Sequence, residues 1–316
     1  MKKMNIALFT AAAMFATTAV AEVEIDGPTL GGRIQTVISD GDALSDDALI
    51  QNTGDGNTAG DQVFLAASGS ATGLVGGFDM SYYLRAMGAS GDVIQNSFPY
   101  SYVDFEHDAL TVQAGRNDDL IYRFVESHNF ANRGREYTGV ESPEFGNSDQ
   151  ISLTSDFAGS PVTLGIYAND EGKSGINTTQ FGLSADLGPA TIAAVHSISE
   201  DDVNSDPAGR RDGATYFGGT YDFGMGNISG RIANLDSGET PYAVALGLPV
   251  TQNTTIRLFY GDDNGENNTG SSLETVNAEV RTMLGAGLSV FAGLNEGEDT
   301  NGDSADNIYV GSRLSF

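Results

Sequence analysis

The sequence contains no cysteine and no tryptophan, and only 8 of its 316 residues are proline. Without cysteine the chain has neither a disulfide framework nor thiol chemistry, and a chain of this length needs neither for stability. Lysine and arginine together number 15 against 43 aspartates and glutamates, so the net charge is −28. Because such an acidic chain repels phosphate groups, we do not expect nucleic acid as a partner.

The sequence also lacks a long apolar run beyond its N-terminus, so a membrane-embedded form would have to be a closed β-barrel. At the N-terminus, Lys2 and Lys3 precede an apolar stretch from Asn5 to Thr18 and a small-x-small site at residues 19–21. This order predicts a secretory signal peptide over residues 1–21, with a buried N-terminal helix as the alternative. Loss of the two lysines changes the net charge from −28 to −30 for residues 22–316.

Alternation of apolar and polar residues is the main pattern in the rest of the chain. In residues 78–86 the even positions are apolar, whereas Asp79, Ser81 and Arg85 occupy odd positions. The same period of two recurs at 228–233, 255–260, 276–282 and 308–314. This pattern predicts β-strands with one apolar and one polar face.

The alternating segments predict an all-β fold, a single 16-stranded antiparallel transmembrane barrel formed by residues 22–316. An even number of strands places both termini on the side of the short turns. Short turns are predicted at 158–160, 187–189, 224–226, 252–253 and 285–287, and long polar loops at 39–61, 170–177, 200–213, 262–272 and 296–306. The strands are predicted at 29–38, 62–70, 77–88, 98–106, 109–116, 148–157, 161–169, 178–187, 190–199, 214–223, 227–235, 242–250, 254–262, 273–284, 287–295 and 307–316.

The placement of arginine favours a membrane barrel, because a lipid-facing arginine is costly near the membrane midplane. A soluble barrel or sandwich would use its two faces in the opposite way, and alternation alone does not distinguish the two. In the strands at 62–70 and 190–199 the pattern does not show which residues face the lumen and which face lipid. His196 therefore fits either face. Six arginines fall on the polar phase of their strands: Arg33, Arg85, Arg231, Arg257, Arg281 and Arg313.

Enzymatic chemistry has little support in the sequence, and we expect neither a catalytic site nor a cofactor. The histidines His107, His128 and His196 are scattered, and neither a nucleophile elbow nor a phosphate-binding loop is present. Residues 201–206 and 299–303 cluster aspartate and asparagine oxygens that could bind calcium, although neither completes an EF-hand loop. The alternative interpretation of both segments is a solvated acidic loop.

One connection, residues 117–147, is longer than the others and contains apolar residues that an exposed loop does not need. Residues 118–126 could form a short helix. A long loop with apolar content usually packs against another part of the protein.

These features together resemble the sixteen-stranded general porins of Gram-negative bacteria, most closely those of the alphaproteobacterial branch. The resemblance covers residues 22–316. It rests on the signal peptide, the strand number, the Gly-Arg-Asn-Asp stretch at 115–118, the Ser-Pro-Glu-Phe stretch at 142–145, and the last strand ending in Phe316. In such barrels a terminal phenylalanine looks like the membrane assembly signal.

The resemblance implies that the third loop, 117–147, folds into the lumen and forms the channel constriction, with acidic residues facing arginines on the opposite wall. It also implies a homotrimer in the outer membrane, surrounded by lipid and lipopolysaccharide. The implied acidic residues are Asp118, Asp119 and Glu126, with Glu136, Glu141 and Glu144 as further candidates, and the implied wall arginines are Arg33, Arg85 and Arg313. For Arg231, Arg257 and Arg281, pairing with a neighbouring acid to support the barrel is an equal alternative.

Three functions remain open at this stage. The first is a channel for passive diffusion of ions and small hydrophilic solutes, with mild cation preference. The second is a substrate-selective outer-membrane channel. The third is a secreted acidic β-protein that binds calcium.

Overall fold

The computed structural model describes residues 23–41, 62–74, 76–89, 100–125, 148–157, 159–169, 178–199, 213–235, 240–262, 273–299 and 304–316. The signal-peptide prediction, Glu126 and the rest of the long loop to residue 147 lie outside these residues. The described part contains sixteen strands and one π-helical turn, Ile121–Val125, called the loop helix below. Among the described residues, no helix has the length and apolar character needed to cross a membrane.

The sixteen predicted strands are confirmed. They are β1 (Glu24–Gly41), β2 (Gln62–Thr72), β3 (Asp79–Ala89), β4 (Tyr100–His107), β5 (Leu110–Asn117), β6 (Ser148–Asp156), β7 (Val162–Asn169), β8 (Thr178–Asp186), β9 (Ala190–Ser199), β10 (Gly213–Asp222), β11 (Asn227–Leu235), β12 (Tyr242–Pro249), β13 (Thr254–Asp262), β14 (Leu273–Gly285), β15 (Leu288–Asp299) and β16 (Ser304–Ser315).

Each strand pairs with its sequence neighbours in antiparallel fashion, and β1 pairs with β16. The sheet is therefore a closed barrel, as the sequence predicted. Closure leaves no open sheet edge among these strands, and a closed sheet is what a membrane requires of spanning strands.

The short turns contain the glycines that their backbone requires. After β8, Leu187 donates its backbone N–H to the carbonyl of Ala190, and Gly188 has φ 85°. The carboxylate of Asp186 accepts a hydrogen bond from the backbone N–H of Gly188. The turn after β10 repeats this arrangement with Asp222 and Gly224. In both turns a glycine with left-handed backbone geometry follows an aspartate by two residues. This arrangement is local, so the turns could be predicted from the sequence.

The two faces of the barrel wall differ in chemistry as predicted. The six arginines on the polar phase all face inward and are partly buried. Their neighbours along the strands face outward and are exposed: Ile34, Leu84, Ile232, Leu258, Val280 and Leu314. Large apolar side chains are thus exposed on the outside, where lipid would cover them.

Register resolves one feature that the sequence left undefined, the phase of β9, and accounts for one predicted strand start that is wrong. In β9, Val195 is fully buried inside the barrel, whereas His196 faces outward and lies 3.0 Å from the hydroxyl of Thr215. β1 begins at Glu24, five residues earlier than predicted. Its pairing with β2 shifts register between Asp26 and Thr29, so the intervening Gly-Pro looked like a strand end in the sequence.

Candidate functional site

A group of arginines and aromatic rings lines one side of the barrel interior. Arg33 on β1 lies directly opposite Phe64 on β2, and its guanidinium carbon is 5.0 Å from the centre of the phenylalanine ring. The guanidinium of Arg85 on β3 lies 4.0 Å from the same ring and 4.8 Å from the ring of Tyr100 on β4. The two arginines thus share one aromatic platform.

The third predicted wall arginine, Arg313, lies beside this group on β16. It is opposite Gln35 in register, and its Nε donates a hydrogen bond of 2.9 Å to the side-chain oxygen of Gln35. Gln35 is buried. The strand order β16, β1, β2, β3 places Arg313, Arg33 and Arg85 on one continuous part of the wall.

The long loop begins next to this wall. The hydroxyl of Tyr100 donates to Oδ1 of Asp118 at 3.0 Å, so the ring that contacts Arg85 also contacts a loop carboxylate. The side chain of Gln150 on β6 donates to the backbone carbonyl of Asp118. Asp118 is therefore linked to the basic wall through Tyr100.

Asp119 is directed elsewhere. Its Oδ1 accepts the backbone N–H of Tyr122 at 2.9 Å, which is the geometry of a helix N-cap. Its Oδ2 accepts from the side chain of Gln180 on β8, and the oxygen of Gln180 accepts from the backbone N–H of Leu120. Asp119 thus starts the loop helix and fastens it to β8.

The loop helix packs against the inner surface of β8, β9 and β10. The contact forms a cluster of buried apolar side chains inside the barrel. Its members are Leu120, Ile121, Phe124, Val125, Tyr167, Ala193, Val195, Ala214, Tyr216, Ala233 and Leu235. Glycines on the wall provide the space. A Cβ atom on Gly182 would lie 2.8 Å from the ring of Phe124, and one on Gly218 would lie 2.6 Å from Val125.

Arg123 brings a positive charge into this part of the loop. Its Nη1 donates to the hydroxyl of Ser152 on β6 at 2.9 Å. Burial lowers the pKa of the guanidinium, and the nearby carboxylates of Asp104, Asp118 and Asp119 act in the opposite direction. The acidic loop residues therefore share their surroundings with a cation that belongs to the same loop.

A different kind of arginine site lies on β14, two strands from β16 in the closed sheet. Arg281 on β14 lies 2.9 Å from Oε1 of Glu279, whose side chain is fully buried. The hydroxyl of Tyr309 donates to the other oxygen of Glu279 at 3.3 Å. Arg257 lies directly opposite Glu279 in register. For Arg281 the geometry matches the alternative in which a wall arginine pairs with an acid and supports the barrel.

The predicted site residues are thus placed in three groups. Arg33, Arg85 and Arg313 share one wall, Asp118 reaches that wall through Tyr100, and Asp119 contacts β8. The roles of these residues, and of Phe316 in assembly, stay predictions. Phe64, Tyr100 and Gln180 carry no signal in the sequence, because strand register and the packing of the long loop bring them to these contacts.

Metal binding also stays a prediction. Among the described residues, no group of three or more histidines or carboxylates could hold a metal ion. The two acidic segments considered for calcium lie outside the described residues, except for Asp299 at the end of β15.

Comparison with known proteins gives one family and a set of similar structures. A family model described as Gram-negative porin matches residues 7–302. The trimer form of OmpT from Vibrio cholerae is 14% identical, covers 94% of this chain and 100% of that chain, and has a TM-score of 0.65. OmpF from Salmonella typhi is 13% identical, covers 93% of this chain and 97% of that chain, and has a TM-score of 0.65. A variant of the Rh. blastica porin is 13% identical, covers 93% of this chain and 100% of that chain, and has a TM-score of 0.58. No curated protein matches the sequence.

Proposed function

The chain belongs to the Gram-negative porin family, and from this premise we propose that it forms a water-filled channel for passive diffusion of ions and small hydrophilic solutes. The protein is an outer-membrane channel. The observation that most supports free diffusion is the division of the closed wall into an apolar outer face and an inner face with six arginines. Family members are channels, and we propose no catalytic activity for this one.

We place the constriction between the long loop and the arginine wall. The supporting observations are the packing of the loop helix on β8–β10 and the link from Asp118 through Tyr100 to Arg85. Opposed charges across a narrow section align polar solutes and slow apolar ones. Asp119 and Glu126 belong to the same proposal, Asp119 chiefly as the residue that fixes the helix.

Mild cation preference is the second part of the proposal. The chain carries a net charge of −28, and acidic loops around a channel mouth concentrate cations. The wall arginines oppose this effect at the narrowest section, so we expect the preference to be small.

Assembly as a homotrimer, surrounded by lipid and lipopolysaccharide, is the third part. The structure of OmpT from Vibrio cholerae is described as a trimer, and this chain has the same fold. The protein mass of the purified particle in detergent, measured by analytical ultracentrifugation, should equal that of three chains, and the mass of a single chain would contradict the trimer.

Planar-bilayer recording of the purified full chain tests the channel. We expect stepwise current increases and a reversal potential that indicates cation preference in a salt gradient. In liposomes that contain the protein, we expect uptake of neutral sugars to rise linearly with sugar concentration. A folded protein that never conducts would refute the channel. Saturable flux of one solute class would instead support the substrate-selective alternative.

A further inference from the structure

We propose that Phe64 and Tyr100 are positioning residues that set the ion selectivity of the channel by holding Arg85, together with Arg33, in a fixed direction. This inference rests on the proposed channel function. Phe64 lies on β2 between the two arginine-bearing strands. The centre of its ring is 5.0 Å from the guanidinium carbon of Arg33 and 4.0 Å from that of Arg85.

The shared ring brings two like charges close together. The guanidinium carbons of Arg33 and Arg85 lie at most about 9 Å apart, since their distances of 5.0 and 4.0 Å to one centroid add to that limit. This separation is comparable with the screening length of about 8 Å at physiological salt, so the two charges act jointly on a passing ion.

Stacking also fixes how the charge is presented. A guanidinium over an aromatic face is held by the ring quadrupole, whereas its N–H groups point outward from the guanidinium edge. An arginine without a ring distributes its charge over many rotamers. Phe64 therefore decides where the positive charge of β1 and β3 sits, although it carries no charge itself.

Tyr100 adds a second function to the same platform. Its ring lies 4.8 Å from the guanidinium of Arg85, and its hydroxyl donates to Asp118 at 3.0 Å. One side chain thus supports the basic wall and fixes the start of the acidic loop. The two functions can be separated, because Tyr100→Phe keeps the ring and removes only the hydroxyl.

The test is reversal potential in a salt gradient for the full chain and its variants. We expect Phe64→Leu to lower the population of the stacked arginine about five-fold, the factor for a weak cation–π contact, and to raise the cation-to-anion permeability ratio by no more than that factor. Phe64→Tyr keeps the ring and should restore the wild-type ratio. Phe259→Leu is the matched control, because Phe259 also faces inward but packs against Ala243 and Ala245.

A double-mutant comparison separates positioning from a change in pore shape. With Arg33 and Arg85 both replaced by glutamine, Phe64→Leu should leave the ratio unchanged, since no charge remains to be positioned. If Phe64→Leu fails to fold, Arg85→Lys gives the same information, because lysine keeps the charge but loses the planar stack.

The outcomes distinguish this inference from the channel itself. A Phe64→Leu ratio equal to wild type, or an equal shift with both arginines replaced, would overturn the positioning role while the channel remains. An unchanged ratio for Arg85→Lys would overturn it in the same way. A wild-type protein that does not conduct would overturn the channel and this inference together. Tyr100→Phe should keep the permeability ratio but increase current noise, because it removes the hydrogen bond to Asp118. Current noise equal to that of the wild type would refute the role of this hydrogen bond in fixing the loop.

Discussion

Removing the ring of Phe124 should release the loop helix from the wall and widen the channel. The ring lies inside the barrel and is 8% exposed. It rests on two glycines, and Cβ atoms built on Gly165 and Gly182 would lie 3.0 and 2.8 Å from it. Because the rigid strand backbone beneath the ring cannot move inward, Phe124→Ala leaves a cavity instead of a repacked contact.

The magnitude follows from this contact. Phenylalanine-to-alanine changes in well-packed cores cost about 3–5 kcal/mol, which corresponds to roughly a 150- to 5000-fold change in the docking equilibrium. The remaining apolar contacts of the helix contribute about 1.5–3 kcal/mol for each fully buried side chain. The hydrogen bonds of Asp118 and Asp119 contribute about 0.5–1.5 kcal/mol each. One substitution should therefore make the undocked loop detectable without removing every tether.

Single-channel recording, the size limit for neutral sugars and limited proteolysis of the loop provide the assay. We expect larger and noisier conductance, passage of larger sugars and faster cleavage within 117–147. Phe181→Ala is the matched control, since Phe181 lies beside Gly182 on β8 but faces outward. Wild-type conductance and protease resistance in folded Phe124→Ala would show that the apolar packing does not hold the constriction.

Three further results are expected. Replacing Arg85 by glutamine should raise the cation-to-anion permeability ratio more than the same change at Arg257, which lies opposite Glu279; equal shifts measured from reversal potentials would contradict this. Cation preference should fall between 0.1 and 1 M salt, as the screening length drops from about 10 to about 3 Å, and a preference independent of salt would exclude the acidic mouth as its cause. Phe316→Ala should reduce the yield of assembled protein in cells but leave its thermal stability in detergent nearly unchanged, because the Phe316 side chain is 61% exposed; a normal yield in membrane fractions would refute its role as an assembly signal.

The strand number, the barrel and the inward arginines could be predicted because they depend on local order. A period of two assigns each side chain of a strand to a face, and the Asp-x-Gly turns at 186–188 and 222–224 mark where strands end. The acid–arginine contact of Glu279 with Arg281 also joins residues two positions apart on one strand.

Only the tertiary structure decided which residues meet inside the barrel. Phe64 contacts Arg33 and Arg85 because of the register between β1, β2 and β3, and a shift of one residue would turn its ring toward lipid. Asp119 turned to Gln180 on β8, some sixty residues later in the chain, because the loop helix found its apolar surface there. Residue order specifies the face of each side chain, whereas register and loop packing depend on the summed contacts of the whole closed sheet.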